Sequence, residues 1–129
     1  MEKATQLSVA LENVPGQLSR LCRVMAQAKV NIRGISVSDS ADISTIRLIA
    51  SDPSAAKTAL REAGLCFVSQ EVLVVELDDR PGALEEVAAR LGDAGLNVLY
   101  IYGTGDVVGG KARLVIRVDD VNRARQTLR

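Results

Sequence analysis

Apolar and polar residues alternate in two stretches that lie far apart in the chain. In the first stretch, Leu7, Val9 and Leu11 are separated by residues that are polar or small, and the stretch Leu73–Leu77 repeats this pattern. An alternation with period two is typical of a half-buried strand. A Pro-Gly dipeptide follows each stretch, and the spacing of apolar residues then becomes helical. The pattern therefore predicts a strand, a turn and a helix, twice.

The two predicted helices begin at Pro15 and Pro81, because proline suits a first helical turn in which its missing N–H is not needed. Gly95 marks the predicted end of the second helix. The apolar stripes of the two helices are Leu18, Leu21, Cys22, Met25 and Ala28 in the first and Leu84, Val87, Ala88 and Leu91 in the second.

The remaining segments repeat as well. Second strands are predicted from Asn31 and Asn97, and the pair Gly109-Gly110 predicts a hairpin in the second copy. The other predicted elements are third strands at Ile43–Ala50 and Lys111–Val118, short helices from about Pro53 to Ala63 and from Val121 to Leu128, and a strand through Leu65–Val68 that continues into Glu71–Leu77.

The whole pattern recurs at a shift of 66, as from Pro15 to Pro81. Arg47-Leu48 is aligned with Arg113-Leu114, after which the second copy gains two residues. Such an ordered recurrence indicates that one structural unit has been duplicated.

Each unit follows the βαββαβ, or ferredoxin-like, plan of the α+β class, an antiparallel sheet with both helices on one face. The predicted units are residues 1–69 and 70–129, and the second lacks its last strand. Since an uncovered sheet edge promotes association, we expect self-pairing or a partner at that edge.

Composition narrows the possible functions. The 129 residues include 16 basic and 16 acidic residues and no histidine. Zero net charge without a basic run argues against nucleic-acid binding. The missing histidine removes the commonest general base and metal ligand, so we expect no enzyme and no cofactor. No apolar stretch is long enough for a membrane span. Cys22 and Cys66 lie among apolar residues and are predicted to be buried free thiols, which fits a cytoplasmic protein.

Three other motifs carry weaker signals. Gly103-Thr104-Gly105 lies between predicted strands, whereas a dinucleotide loop opens a helix, so we interpret it as part of a hairpin. The acidic residues Asp39 and Asp42 fall in a predicted hairpin loop and do not supply the oxygen ligands that calcium expects. Tyr100 and Tyr102 share one face of their strand, where packing and the lining of a ligand pocket both remain open.

The turn between the first strand and the first helix is the main candidate site. Free N–H groups and the positive dipole end of a helix attract a carboxylate, and Gly16 lets a ligand approach the backbone. Asn13 offers both a donor and an acceptor. The alternative to ligand binding is that these residues only shape the local backbone, since Pro-Gly favours turns and Asn or Asp can cap a helix.

The sequence resembles the ACT domain family in the order of its motifs, which are an apolar strand, Glu-Asn-x-Pro-Gly-x-Leu, an amphipathic helix and Val-Asn-Ile. This likeness occurs twice and covers nearly the whole chain. The resemblance implies βαββαβ units, as in free-standing tandem ACT proteins. It also implies an amino-acid ligand at an interface between ACT units. The residues that it implies are Asn13, Val14, Gly16, Gln17, Leu18 and Asn31 in the first unit and Asp79, Gly82, Ala83, Leu84 and Asn97 in the second.

The resulting hypothesis is a cytoplasmic regulatory protein, a homodimer, that senses a free amino acid and needs no metal. Asp79 replaces Asn13 in the second copy, and its carboxylate would repel a ligand carboxylate, so the first unit is the preferred site. The alternative is an interaction subunit that docks on a metabolic enzyme without a small ligand.

Overall fold

A computed structural model describes residues 1–107 and 109–129, with residues 104–107 described by their backbone alone. The strands and helices follow one another in the predicted order. The elements are β1 Glu2–Glu12, α1 Gln17–Gln27, β2 Ile32–Ser40, β3 Ile43–Ala50, α2 Pro53–Glu62, β4 Cys66–Asp78, α3 Ala83–Asp93, β5 Val98–Val107, β6 Lys111–Val118 and α4 Val121–Leu128.

The chain divides into two compact units, Thr5–Gln70 and Met1–Ala4 with Glu71–Arg129, which are called here the first and second units. The strand order is β2-β3-β1-β4 in the first unit and β1-β4-β6-β5 in the second, with β1 and β4 contributing different residues to each. Met1–Ala4 therefore belongs to the sheet of the second unit, where β1 lies beside β4.

The first unit buries an aliphatic core between its antiparallel sheet and its helices. Leu7, Val9 and Leu11 face Leu21 of α1 and Leu60 of α2, and all five belong to one buried cluster. Alternation in β1 and the helical spacing in α1 together place these residues on the covered face. The fold of this unit is the predicted ferredoxin-like plan.

The second unit repeats this arrangement with its own core. Leu73 and Val75 of β4 pack with Leu91 of α3, Ile116 of β6 and Ala124 of α4. The helix α4 is capped by Asp120, whose side chain accepts a hydrogen bond from the Arg123 N–H, as Asp52 does from the Ala55 N–H at α2. Capping side chains of this kind stabilise a helix start by about 1 kcal/mol.

Strand register corrects the predicted alignment of the repeats. Leu7 pairs with Leu48, whereas its counterpart Leu73 pairs with Ile116. Leu48 therefore corresponds to Ile116, and the alignment of Arg47-Leu48 with Arg113-Leu114 is wrong. The two extra residues of the second copy lie before β6, in the β5–β6 hairpin, where each residue of the Gly109-Gly110 pair has a positive φ.

Two further expectations were wrong in detail. Helices α1 and α3 begin after Pro15 and Pro81, because Gly16 and Gly82 serve as the N-cap residues with φ values of 91° and 90°. The cysteines are free, but Cys66 is exposed and Cys22 only partly buried. Cys66 precedes Phe67, which packs on the core, so alternation turns the cysteine to the other face of β4.

Within the described part of the chain, no helix has the length and apolar character needed to cross a membrane. The same residues contain no group of three or more potential metal-binding side chains placed to hold an ion. Asp39 lies in β2, Asp42 in the turn after it, and Gly103-Thr104-Gly105 within β5 rather than before a helix.

Candidate functional site

A cleft opens in the first unit beside the turn that joins β1 to α1. Its volume is about 130 Å³. The residues that line it are Leu11, Glu12, Asn13, Val14, Gln17, Leu18, Val37, Ser44 and Ile46. Four residues of the predicted site, Asn13, Val14, Gln17 and Leu18, thus come together in one place, with Gly16 between them in the chain.

Apolar side chains at the cleft are unusually exposed. Leu18 and Val37 are 45% and 52% exposed, and Val14 is 49% exposed. Val37 pairs with Ile46 and so lies on the face of the sheet that carries the helices, yet no helix covers it. The cleft therefore offers uncovered apolar surface, which is typical of a small-molecule site.

The polar groups of the cleft are few and differ in how firmly they are held. The side-chain amide of Asn13 donates a hydrogen bond to the Ala41 carbonyl (2.9 Å), and its backbone N–H donates to the Asp42 carbonyl (2.8 Å). These two bonds fix Asn13 on the β2–β3 hairpin and direct its amide oxygen away from that contact. Ser44, only 8% exposed, lines the cleft wall.

The start of α1 completes the polar part of the site. Gly16 is the N-cap residue, no side chain caps the helix, and its first turn contains no acidic residue. The positive φ of Gly16 explains the glycine by backbone conformation, because an L side chain is strained there. The uncapped N–H groups and the helix dipole favour an anionic ligand group.

Asn31 is not part of this cleft within the first unit. Ser51 fixes it, since the Asn31 N–H donates to the Ser51 hydroxyl and the Ser51 N–H donates to the Asn31 carbonyl. Glu12 and Ile32 pair with opposite ends of β3, which has 8 residues, so Asn13 and Asn31 lie roughly 30 Å apart along the strands. Asn31 could therefore reach this cleft only from another ACT unit.

The equivalent turn of the second unit has different chemistry. Asp79 replaces Asn13 and, as a carboxylate, cannot donate the hydrogen bond that Asn13 makes. Glu85 and Glu86 occupy the first turn of α3, and Gly103 stands where the first unit has Val37. Of the other predicted residues, Leu84 is exposed and Ala83 buried. Asn97 bonds through its N–H to Asp119, as Asn31 does to Ser51.

Ion pairs occupy the second turn. The Lys111 ammonium lies 2.5 Å from the Asp78 carboxylate, and the Arg80 guanidinium bonds to both oxygens of Glu86 at 3.1 Å. These side chains are exposed, so the pairs add little stability. They nevertheless pair the Lys111 and Arg80 cations beside this turn with carboxylates of the same unit.

We expect the pKa of Asp78 to lie below the ordinary aspartate value, because Lys111 donates a hydrogen bond to its carboxylate and attracts it electrostatically. A carboxyl whose pKa is lowered by folding stabilises the folded state at pH values above its unfolded-state pKa. This stabilisation is lost as the pH falls through the folded-state pKa. Titration of the Asp78 carboxyl by NMR should show a rise in pKa in Lys111→Met but not in Lys111→Arg. An unchanged pKa in Lys111→Met would contradict the pairing.

Comparison with known proteins identifies the fold family. The family model of the ACT domain pair matches residues 2–128. The chain belongs to the ACT domain pair family. A search of curated protein sequences finds no significant match.

Solved structures share this fold. The crystal structure of protein BT0572 from Bacteroides thetaiotaomicron is similar with a TM-score of 0.92 and 29% identity, over 98% of this chain and 86% of that one. The regulatory subunit of aspartate kinase from Thermus thermophilus has a TM-score of 0.66 and 12% identity, over 99% and 95% of the two chains. Escherichia coli aspartokinase III, solved with aspartate and ADP, has a TM-score of 0.64 and 17% identity, over 99% of this chain and 31% of that enzyme. The last two likenesses show the fold alone.

Helical spacing alone missed the exposure of Leu18 and Leu84, which only the family resemblance named as site residues. Helical spacing assigned both leucines to the buried stripe, yet each is 45% exposed. Leu21 and Met25, which follow Leu18 on the same stripe, are buried as predicted. An apolar residue in the first turn, directly after a Pro-Gly, could have indicated a binding surface.

Proposed function

We propose that this ACT protein is a regulator that binds a free amino acid in the first-unit cleft. The observation that supports this most directly is the uncapped start of α1 beside exposed Val14, Leu18 and Val37. The ligand carboxylate would accept hydrogen bonds from the first-turn N–H groups, and its ammonium would meet the Asn13 amide oxygen or the Glu12 carboxylate. The apolar residues would contact its side chain.

Charge favours the first unit over the second. The first turn of α1 has no acidic residue, whereas α3 begins with Glu85 and Glu86 and follows Asp78 and Asp79. Like charges oppose binding of a carboxylate. We therefore propose one preferred site for each chain.

The cleft of about 130 Å³ is small and partly open, and in this proposal an ACT unit of a second chain closes it in a homodimer. Asn31 would then join the ligand from that chain. Ligand binding would shift the balance between two packings of the units by its differential affinity, and so regulate a partner enzyme. The free Cys22 and Cys66 are consistent with a cytoplasmic location.

A thermal-shift screen of the purified protein against the twenty amino acids tests this function. A ligand specific for the folded state should stabilise it by about 2.7 kcal/mol at a hundredfold excess over Kd. We expect one amino acid or a few related ones to raise Tm, and Asn13→Ala to abolish the shift. The matched variant Asp79→Ala, at the same position of the second unit, should keep it.

A flat screen would reject the amino-acid proposal and favour the docking subunit without a small ligand. A shift that survives in Asn13→Ala but disappears in Asp79→Ala would place the site in the second unit. Loss of the shift in Asn31→Ala, together with loss of the dimer in sedimentation, would identify the second chain as a contributor.

A further inference from the structure

The wall of the first-unit cleft contains a nearly buried hydroxyl group, that of Ser44. Ser44 is 8% exposed and lines the cleft. It lies opposite Leu11 in the β1–β3 ladder, so both side chains are on the face of the sheet that carries the helices. Ile46, two residues further along β3, shares this face and is 2% exposed. The hydroxyl is therefore surrounded by aliphatic side chains.

The Ser44 hydroxyl forms no hydrogen bond with any other residue that the structure describes. Polar groups with so little exposure almost always have a hydrogen-bond partner, because an unpaired group loses its bonds to water without replacement. An unpaired hydroxyl in the wall of a cleft is therefore available to a ligand.

The second repeat shows that the fold does not require a hydroxyl at this position. Leu77 is the counterpart of Leu11 and pairs with Ala112, so Ala112 stands where the first unit has Ser44. The strand β6 includes Ala112 and pairs with β4 there. Serine thus occurs in the unit whose turn also has Asn13 and a helix start without acidic residues.

The size of the cleft restricts the ligand side chain. The volume is about 130 Å³, whereas an apolar cavity of about 150 Å³ in another protein holds one benzene molecule. The side chains nearest to Ser44 along the strands are those of Leu11, Val37 and Ile46, which carry no charge. The cleft therefore fits a short side chain better than an aromatic ring or a long charged chain.

We infer that the ligand of this cleft is an amino acid whose short side chain carries a hydroxyl group, as in threonine, and that Ser44 selects it. The inference rests on the amino-acid binding proposed above. The two hydroxyl groups would bond to each other, since each can donate and accept. The methyl group of threonine would contact Val37 and Ile46, while the carboxylate lies at the start of α1.

Valine is the most informative competitor, because it has nearly the same shape as threonine but no hydroxyl group. Bound valine would cover the Ser44 hydroxyl and leave it unpaired, and sites that bond a ligand hydroxyl reject analogues without one. We expect the protein to bind threonine at least about tenfold more tightly than valine. Serine, which lacks the methyl group, should bind about fourfold more weakly than threonine.

Isothermal titration of the complete chain with threonine, serine and valine tests this inference. In Ser44→Ala, threonine should lose affinity and valine should gain it, so that the ratio of their dissociation constants changes at least about tenfold. Ala112 shows that the equivalent strand position accepts alanine. The matched control is Ser36→Ala, which should keep the ratio, because Ser36 pairs with Arg47 on the opposite face of the sheet.

An equal loss of affinity for threonine and valine in Ser44→Ala would show that Ser44 contacts the ammonium or carboxylate group common to both, and would overturn the inference. Tighter binding of valine, or of an aromatic or charged amino acid, to the unchanged protein would also overturn it but would leave the proposed function intact. Absence of binding by all twenty amino acids would reject the proposed function and this inference together. The comparison of ligands on the unchanged protein does not depend on whether Ser44→Ala folds.

Discussion

Gly103→Ala should destabilise the protein by roughly 3 kcal/mol, at the upper end of the range for overpacking. A Cβ at this position would lie 2.2 Å from the Arg113 carbonyl oxygen and 2.7 Å from Leu114 Cδ2. The nearest obstacle is backbone of the paired strand β6, which cannot move aside as a flexible side chain can. The methyl group must therefore separate β5 from β6.

Gly92→Ala is the matched control for this prediction. Gly92 lies inside α3, and a Cβ there would meet nothing within 4 Å. Alanine in a helix interior is more favourable than glycine by about 0.5–1 kcal/mol, so this variant should be more stable than the parent. Urea unfolding followed by circular dichroism measures both free energies. A Gly103→Ala protein as stable as Gly92→Ala would show that the β5–β6 approach is not so close.

Gly103 also explains why the two repeats differ beside the turn that joins their first strand to their first helix. Its counterpart Val37 pairs with Ile46, and both line the first-unit cleft. Gly103 pairs with Leu114, whose side chain fills the space that a valine would need. The sequence alignment shows the substitution of valine by glycine, but the close contact depends on strand register and could not be read from the alignment.

Most of the fold followed from periodicity because both repeats show the same order of alternating and helical patterns. The predicted bounds of β3, β6 and α4 agree with the structure, and the strand that joins the repeats is continuous as expected. The family and the ferredoxin-like plan were confirmed by the match to the ACT domain pair. Alternation and helical spacing depend on neighbouring residues, so the local sequence is sufficient to reveal them.

Long-range placement was less accessible to sequence reasoning. The polar residues of Met1–Ala4 gave no strand signal, yet they form part of the second unit, where the Lys3 ammonium donates a hydrogen bond to Asn122. An edge strand needs no apolar face when its backbone is paired, and charged residues are common there. Asn31 shows the converse: a family pattern names it together with Asn13, but within the first unit the two lie at opposite ends of β3.

Leu73→Ala should lower the free energy of unfolding by about 2–5 kcal/mol. Leu73 is fully buried in β4, pairs with Ile116 and belongs to the core of the second unit. Removing its side chain sacrifices apolar burial and leaves a cavity, because the surrounding strands and helices can relax only in part. The homologous Leu7→Ala should have a cost in the same range, since Leu7 is equally buried in the first core.

Leu99→Ala is the matched control for the core prediction, because Leu99 is a leucine of the same unit that is 52% exposed. Its replacement should change the free energy of unfolding by no more than about 0.5 kcal/mol. Urea denaturation of the three variants at one pH gives the comparison. Similar losses of unfolding free energy for Leu73→Ala and Leu99→Ala would mean that Leu99 is covered in solution, for example by a second chain packed on β5. Sedimentation of the Leu99→Ala variant would then show loss of that assembly. A negligible loss for Leu73→Ala would contradict the assignment of the β4 alternation to the buried face.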